Sequence, residues 1–415
     1  MEAARRRTLG TEIRGDPAKS CACRRGTSLA LCRNMLCRPV EGIRPDRFRP
    51  PHCPWAACPA HRGRERFRYR RHGDYRRPAA AERAIPRFRC CTCRRTFSRQ
   101  SFACSYYLKR PELLVPIAAG LVAGSAHRQL ARSLDCAPST VTRLAARLGR
   151  HSLLLHALAL EHLKPISEPV VLDHFETFVY SQDDRLGIAT AVGQRSWFVY
   201  GIQPAPHRRT GRRSARKKAV LAPPPDLTPE SFVRSTLDTL DVLTSRAPHG
   251  LTLISDDHPA YRAAVSRHPA GRTLRHRIYP NPPRGPESDL APALERDRQM
   301  GAVDLLHKLW RHSQAHHRRE TIAFGRRSNA VLERAAVMIG WRNLVKGVSE
   351  RKGDRTTPAM RLEITPRPWS WKDVFARRLF PARLTVPEPW MRIYRREWIT
   401  PAVGRNLPHN LRHAF

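Results

Sequence analysis

Residues 170–180 have the sequence VVLDHFETFVY, a run of β-branched and aromatic residues that is typical of a buried β-strand. Asp173 interrupts the apolar pattern of this run. An unpaired buried carboxylate costs free energy, so an acid inside a core strand indicates a bound metal ion or a nearby cation. This strand and its acid are therefore the point from which both the fold and a site can be predicted.

Six further elements are predicted from the periodicity of the residues that follow this strand. Their order is strand, strand, helix, strand, strand, helix, at residues 186–192, 196–202, 229–243, 251–255, 273–279 and 303–324. Asp256 directly follows the fourth strand, and Asp304 lies in the predicted first turn of the last helix. Acids are therefore expected at three separate places in one α/β domain.

With a further helix between the fourth and fifth strands, this order of elements matches the ribonuclease-H-like arrangement, which brings acids that are distant in sequence close together. Carboxylates repel one another unless a divalent cation lies between them, and Mg²⁺ prefers a few carboxylates together with water and phosphate oxygens. Two such ions about 4 Å apart activate an attacking hydroxyl and stabilise the leaving oxygen of a phosphoryl displacement. We therefore expect phosphodiester chemistry at Asp173, Asp256 and Asp304.

The charge of the chain favours a polyanionic partner. Its 415 residues include 76 Lys and Arg against 35 Asp and Glu, a formal net charge of +41. Each cation placed at a phosphate releases a condensed counterion, so an excess spread over the whole chain favours nucleic acid. Heavy Arg usage can also reflect the base composition of the source DNA, but that does not account for the low acidic count.

The apolar segments are too short for a membrane protein. Residues 113–124 form the longest nearly uncharged apolar stretch, well below the ~20 residues that a membrane span needs. The arginines near the N-terminus precede no apolar segment of the kind found in secretion signals. We expect no membrane partner and a cytoplasmic location.

Eleven cysteines in a protein without an export signal favour metal ligation over disulfides. Cys53 and Cys58, and Cys90 and Cys93, form two closely spaced pairs that can supply four sulfur ligands to one Zn²⁺. A basic, aromatic stretch between the pairs predicts a zinc ribbon. Cys91 can replace a neighbouring cysteine, and a histidine can replace a thiolate, namely His52 or His61. The looser group of Cys21, Cys23, Cys32 and Cys37 is not assigned.

The next segment predicts a helix-turn-helix. Residues 126–134 form a short helix, residues 135–137 a turn, and residues 138–148 a second helix that starts with Pro138 and Ser139. In such a motif the second helix enters the major groove of DNA. The residues offered to the bases are Ser139, Thr140, Thr142 and Arg143. An ordinary helical hairpin is the alternative.

Together these features resemble the bacterial DDE transposases of the insertion-sequence-one type over residues 53–346. The chain has, in the family's order, a ribbon ending at residues 89–97, the helix-turn-helix and the DHFETFV segment. SDDHPAY at 255–261 resembles the family's Thr-Asp-Gly-x-Pro-x-Tyr. Residues 303–326 follow the spacing of the family's catalytic helix.

The resemblance implies a metal-dependent site in which Asp173, Asp256 and a third acid hold Mg²⁺ or Mn²⁺. Asp304 stands where the family has Glu. Glu320 is the competitor, but it follows about four helical turns later. We expect Asp304 to be the third ligand.

Two basic segments near the predicted acids are candidates for phosphate contacts. Arg212 and Arg213 lie in an Arg-rich insertion at 204–225, and Arg311 and Arg319 follow Asp304. A solvated basic loop is the alternative for the insertion.

The predicted fold class is mixed α/β with several domains. The expected segments are an Arg- and Cys-rich extension, the zinc ribbon, the helix-turn-helix domain, the ribonuclease-H-like catalytic domain and a C-terminal tail, at residues 1–50, 51–104, 111–163, 168–347 and 348–415.

The function expected from the resemblance is DNA transposition. The ribbon and helix-turn-helix would bind the element ends, and the acids would cut and join strands of element and target DNA, in a homo-oligomer. One alternative is a non-catalytic DNA-binding regulator, a decayed or domesticated transposase. A structure-directed nuclease on the same fold, which hydrolyses without joining, is another.

Overall fold

The computed structural model describes residues 43, 47–75, 84–208, 230–283 and 290–409, which fall into two compact units. The first unit comprises the described residues up to Pro111 together with Lys372–Thr385. The second comprises Glu112–Trp371 and the described residues from Val386 onward. The chain is of the mixed α/β class, as predicted, with helices and two separate β-sheets.

The first unit contains a three-stranded antiparallel sheet in the order β1-β2-β3. Its strands are β1 (Tyr69–Tyr75), β2 (Ile85–Cys90) and β3 (Thr96–Ser98). Side chains alternate along β2, where Phe88 and Cys90 are buried while the intervening arginine is exposed. Aromatic side chains fill the core on this face, including Phe48, Tyr69, Phe88, Phe97 and Phe102.

The second unit begins with three helices, α1 (Leu114–Val122), α2 (His127–Ser133) and α3 (Pro138–Glu161). The short helix, the turn and the start of the second helix at Pro138 are confirmed, and Asp135 in the turn has a left-handed φ of 44°. The prediction that the second helix ends at residue 148 is wrong. It continues to Glu161 because residues 148–160 are buried on every side and keep a helical backbone inside the core.

A five-stranded sheet forms the centre of the second unit, in the order β6-β5-β4-β7-β8. Neighbours β4, β5 and β6 are antiparallel, whereas β7 and β8 run parallel to β4. All five predicted strands are confirmed, as β4 (Val170–Val179), β5 (Ser181–Gly193), β6 (Val199–Arg208), β7 (Leu251–Ser255) and β8 (Leu274–Ile278). The helices that pack beside them are α4 (Ser231–Thr244), as predicted, and α5 (Pro259–Arg267).

The bounds predicted for the last helix, residues 303–324, are wrong. The structure has α6 (Leu290–Ser313) and α7 (Ser328–Leu344), with a short 3₁₀ helix at Ala315–His317 between them. The helix starts early because Pro292 is tolerated in a first turn. It ends before Gln314, whose extended backbone changes the direction of the chain. His316 and His317, which follow, are buried in the core. Asp304 therefore lies in the middle of α6.

The C-terminal residues contribute three more helices, α8 (Pro358–Arg361), α9 (Trp371–Val374) and α10 (Glu388–Tyr394). Trp390 on α10 is fully buried and stacks on His156 of α3 with ring centroids 4.9 Å apart. The tail is thus packed at this point. Further 3₁₀ turns occur at Pro59–His61, Arg99–Phe102, Pro111–Leu113, Gly271–Thr273 and Pro381–Arg383.

Helices α3 and α7 pack closely against each other. A Cβ added at Gly149 on α3 would collide with the backbone carbonyl of Glu333 on α7. Next to this contact, the buried Arg150 guanidinium donates to Glu333 Oε1 at 2.8 Å. The absence of a side chain at Gly149 is what allows the two backbones to approach. Within the described residues, no helix has the length and apolar content needed to cross a bilayer.

Replacing Gly149 by Ala is expected to destabilise the second unit by about 1–3 kcal/mol, because the added methyl has no space and the helices must move apart. Gly301→Ala on α6 is the control, since a Cβ there meets no atom within 4 Å and removes the flexibility of glycine from a helix. Urea unfolding of both variants measures the difference. An unchanged unfolding midpoint for Gly149→Ala would contradict the close contact.

Candidate functional site

The four predicted zinc ligands lie together in the first unit. Cys58 directly precedes the 3₁₀ turn at Pro59–His61, Cys90 ends β2, and Cys93 lies in the turn before β3. The Sγ atoms of Cys53 and Cys93 are 3.6 Å apart, those of Cys58 and Cys90 are 3.8 Å apart, and all four lie within 4.8 Å of one another. A tetrahedral Zn²⁺ with bonds of about 2.3 Å spaces its sulfurs by about 3.8 Å. The four cysteines therefore fit a zinc-type ion.

The turn between β2 and β3 presents two of these thiols. Cys90 N donates to Arg95 O, and Arg94 N to Cys90 O, both at 3.0 Å, with Arg94 at a left-handed φ of 59°. Burial raises the pKa of the Cys53 thiol because a thiolate is poorly solvated there. A cation bound by the sulfurs would supply the missing positive charge and favour the thiolates.

The alternative ligands of this site have other contacts. The Nδ1 atoms of His52 and His61 lie 2.9 and 2.6 Å from the carbonyl oxygen of Cys53. Burial lowers the pKa of His52 to about 3 and also lowers that of His61, so both rings are neutral and can donate to this carbonyl. Neither histidine nor Cys91 belongs to the close sulfur group. Cys21, Cys23, Cys32 and Cys37 lie outside the described residues.

Asp173 lies on β4, the central strand of the larger sheet, with its side chain 21% exposed. Its Oδ1 accepts hydrogen bonds from His174 N at 2.7 Å and from the Tyr261 hydroxyl at 3.2 Å. Its Oδ2 lies 3.6 Å from Nδ1 of His307 on α6. Neutral donors therefore orient the carboxylate without removing its charge.

Asp256 follows β7, which runs parallel to β4 in a register that pairs Val171 with Ile254. Extended by two residues, this register brings Asp256 level with Asp173. The Asp256 carboxylate accepts from His258 N at 3.1 Å and from Asn281 Nδ2 at 3.3 Å. The adjacent Asp257 forms an ion pair with Arg262, so its charge is balanced outside the site.

Asp304 approaches the same region from α6, which packs against β4 and β5. Its carboxylate forms an ion pair with Arg296, two turns earlier on the helix, whose Nη2 lies 3.4 Å from Oδ1. Glu320, the competing third acid, lies beyond the end of α6 at an exposed position. Of these two acids, Asp304 is the one that acts on the charge of Asp173.

The three acids share one electrostatic environment. The pKa of Asp173 is raised to about 7, first by burial, then by the charge of Asp256, and to a smaller extent by that of Asp304. Hydrogen bonds from His174 and Tyr261 oppose this shift. The three acids do not form a group with all ligand atoms within 4.8 Å; in the described part of the chain only the four cysteines do.

The predicted base-contacting residues lie at the start of α3. Ser139, Thr142 and Arg143 are exposed and Thr140 is half-buried. The Thr142 hydroxyl donates to Pro138 O at 3.0 Å and lies 3.1 Å from Nδ1 of His127. Arg143 Nε donates to Ser139 O at 3.3 Å, so Thr142 and Arg143 both form hydrogen bonds to backbone carbonyls of the first turn of α3.

The predicted phosphate-contacting arginines differ in their surroundings. Arg311 is half-buried, and its Nη atoms donate to His317 O at 3.1 Å and Glu176 O at 2.9 Å, which ties α6 to β4. Arg319 is exposed. Arg212 and Arg213 lie outside the described residues.

Three residues at the acids were not predicted as site residues: Tyr261, His307 and Arg296. Tyr261 belongs to the SDDHPAY segment, and its spacing from Asp256 could have identified it as a site residue. His307 lies three residues after Asp304 and hence on the same helix face. Arg296 gave no signal, because the helix was expected to begin after it.

Searches against protein-family models and against curated proteins found no match to this chain.

Cys93→Ser is expected to remove about one zinc per chain and to lower the melting temperature, because three sulfurs do not complete a structural tetrahedral site. Cys91→Ser is the matched control, since it lies two residues away and outside the sulfur group. Metal analysis of the purified variants measures the difference. Equal zinc content in both variants would contradict the assignment of Cys93.

The raised pKa of Asp173 predicts a pH dependence in buffer without added divalent cations. The folded state holds this proton up to about pH 7, whereas the unfolded chain releases it near its ordinary value of 3.8, so stability falls as pH rises between them. The slope is at most about 1.4 kcal/mol per pH unit. Urea unfolding between pH 5 and 8, compared with Asp173→Asn, isolates this contribution. Parallel curves for the two proteins would refute it.

Proposed function

We propose that this protein is a DNA transposase that uses Asp173, Asp256 and Asp304 to hold Mg²⁺ or Mn²⁺ and to cleave and join DNA strands. The observation that carries the proposal is the position of these acids in the β6-β5-β4-β7-β8 sheet. One lies on the central strand, one follows its parallel neighbour, and one lies on a helix packed against that strand. This is the arrangement expected of a ribonuclease-H-like catalytic domain.

The chemistry of the acids supports a cation at this place. Asp173 is a largely buried carboxylate beside two further acids, with neutral hydrogen-bond donors and no Lys or Arg within ion-pair distance among the described residues. A divalent cation bound there would polarise a phosphodiester and lower the pKa of the attacking hydroxyl. In a site with two ions about 4 Å apart, each ion binds some of the carboxylates, so the three acids do not have to meet at one point.

The side chains around the acids have defined tasks in this proposal. Tyr261 and His174 N orient Asp173 through Oδ1, which leaves Oδ2 for a cation. Burial lowers the pKa of His307 to about 3, so its ring is neutral and adds no competing positive charge. Thr190 lies 2.8 Å from His307 Nε2 and fixes the ring. Arg296 neutralises the charge of Asp304, so this ion pair has to break when a metal cation binds there.

DNA recognition would use the four-cysteine unit as a zinc ribbon and α2 and α3 as a helix-turn-helix. The start of α3 exposes Ser139 and Arg143. The net charge of +41 supports a phosphate-rich partner. The partners proposed are duplex element ends and target DNA, bound by a homo-oligomer.

A second candidate is a non-catalytic DNA-binding regulator. The Arg296–Asp304 ion pair favours it, because a cation already satisfies the third acid without a metal. The regulator requires the zinc ribbon and the α2–α3 pair but no strand transfer.

Strand transfer from a labelled duplex that carries the inverted repeat flanking the gene tests the proposal. Asp173→Asn, Asp256→Asn and Asp304→Asn should each reduce Mg²⁺-dependent joining about 10³-fold or more, because each removes a cation ligand, while DNA affinity stays near that of the wild type. Glu320→Gln is the matched control and should retain joining.

Three other results would contradict different parts of the proposal. Joining that survives Asp304→Asn but not Glu320→Gln would overturn the choice of third acid. Cleavage without joining in the wild type would indicate a nuclease. Tight DNA binding by a wild type that forms no product would indicate the regulator.

A further inference from the structure

A large basic groove lies in the second unit, apart from the three acids. Its volume is about 1350 Å³, and its walls come from α2, from the segment between α6 and α7, and from residues that follow α10. Its lining includes seven arginines, at positions 128, 132, 318, 326, 327, 334 and 396, and no Asp or Glu. We call this feature the arginine groove.

Arg334 is a buried cation at the arginine groove. It is 8% exposed, and its Nε donates to Ala330 O at 3.1 Å. Its Nη atoms have no hydrogen-bond partner among the described residues. Glu333, its neighbour in the chain, already binds Arg150 at 2.8 Å and lies 3.2 Å from Arg396.

A buried guanidinium without a carboxylate at hydrogen-bond distance is costly unless an anion approaches from the open side. Burial lowers the pKa of Arg334 to about 10, so it is still charged at neutral pH. The charge of Glu333 acts favourably on Arg334, but Glu333 is already paired with Arg150 and Arg396, and the lining of the groove contains no acid.

Three further arginines with exposed side chains stand on two walls of the groove: Arg128 on α2, and Arg318 and Arg326 on the segment between α6 and α7. None of the three has a carboxylate within ion-pair distance among the described residues. A groove that offers several cations from two facing elements of the chain is suited to a chain of phosphates rather than to one carboxylate.

The arginine groove adjoins the start of α3 and is connected to β4 through one turn of the chain. Pro138 and Thr142 at the start of α3 form part of its lining. On the other side, the Ala315–His317 turn leads into the groove and contacts β4, where His317 Nδ1 lies 3.0 Å from Thr177 Oγ1. Thr177 and Asp173 are about 13 Å apart along β4.

We infer that the arginine groove binds the phosphodiester backbone of one DNA strand next to the segment contacted by α3. This inference rests on the proposed function, because it takes DNA to be the partner. The volume exceeds the 300–1,000 Å³ that is usual for a single small molecule, which favours a stretch of polymer.

The test compares two triple variants of the full chain with equal loss of charge. The groove variant is Arg128→Gln, Arg318→Gln, Arg326→Gln, and the control is Arg272→Gln, Arg351→Gln, Lys352→Gln, all at exposed positions away from the groove. Fluorescence anisotropy with a labelled element-end duplex gives the affinity over a salt series.

Loss of three phosphate contacts should reduce the slope of log K against log salt by about 2.7 and weaken binding about 10²-fold or more at 0.1 M salt. The control should keep the wild-type slope. An equal loss in both variants, or no loss in the groove variant, would overturn the inference. Groove-dependent binding of a polyglutamate peptide as tight as that of DNA would also overturn it, in favour of an acidic protein partner.

These outcomes separate the inference from the proposed function. If the wild type joins strands and the groove variant binds DNA like the wild type, the inference about the groove is wrong and the transposase proposal stands. If DNA binding depends on the groove but the wild type joins no strands, the inference stands and the transposase proposal is wrong. If the wild type does not bind duplex DNA, both are wrong.

Discussion

The burial of the Asp173 carboxyl group on the central strand of the larger sheet is the constraint on which the candidate site in the second unit depends. Leu172 and Phe175 beside it are fully buried, so the carboxylate has little water to solvate it. Hydrogen bonds from Tyr261 and the His174 backbone orient it but supply no opposite charge. Because β7 and α6 add two further acids, the region becomes more unfavourable for negative charge without a cation. This is the reason for proposing a cation at these three acids.

The long helix α3 joins the proposed DNA-recognition residues and the packed core of the second unit in one element. Its N-terminal residues are exposed, whereas residues 148–160 are buried against other helices. Its 24 residues extend about 36 Å. The close contact at Gly149 packs α3 against α7. On α7, the side-chain amide of Asn343 accepts from Val199 N at 2.9 Å and donates to Val199 O at 3.0 Å, which joins α7 to β6. A duplex held at the start of α3 would therefore have a fixed position relative to the sheet.

The arginines that the structure describes include internal and external ones, which the sequence does not distinguish. Arg150 and Arg311 are tied to Glu333 and to backbone carbonyls inside the second unit, where they hold helices to their neighbours. Arg318 and Arg326 face the arginine groove, where no acid opposes them. A net charge of +41 thus leads to the proposal of a polyanionic partner, whereas the proposed place of binding depends on where the charges lie.

The sequence by itself determined the features that arise from local patterns. Alternation and β-branched runs defined the five strands, and the paired spacing of Cys53, Cys58, Cys90 and Cys93 defined the sulfur group, because both depend on residues close together in the chain. The tertiary structure decided the rest. The extent of α3 and α6 depends on burial by distant elements, and the contacts of Asp173 with Tyr261 and His307 join residues far apart in sequence. Long-range packing, which has no local period, sets these contacts.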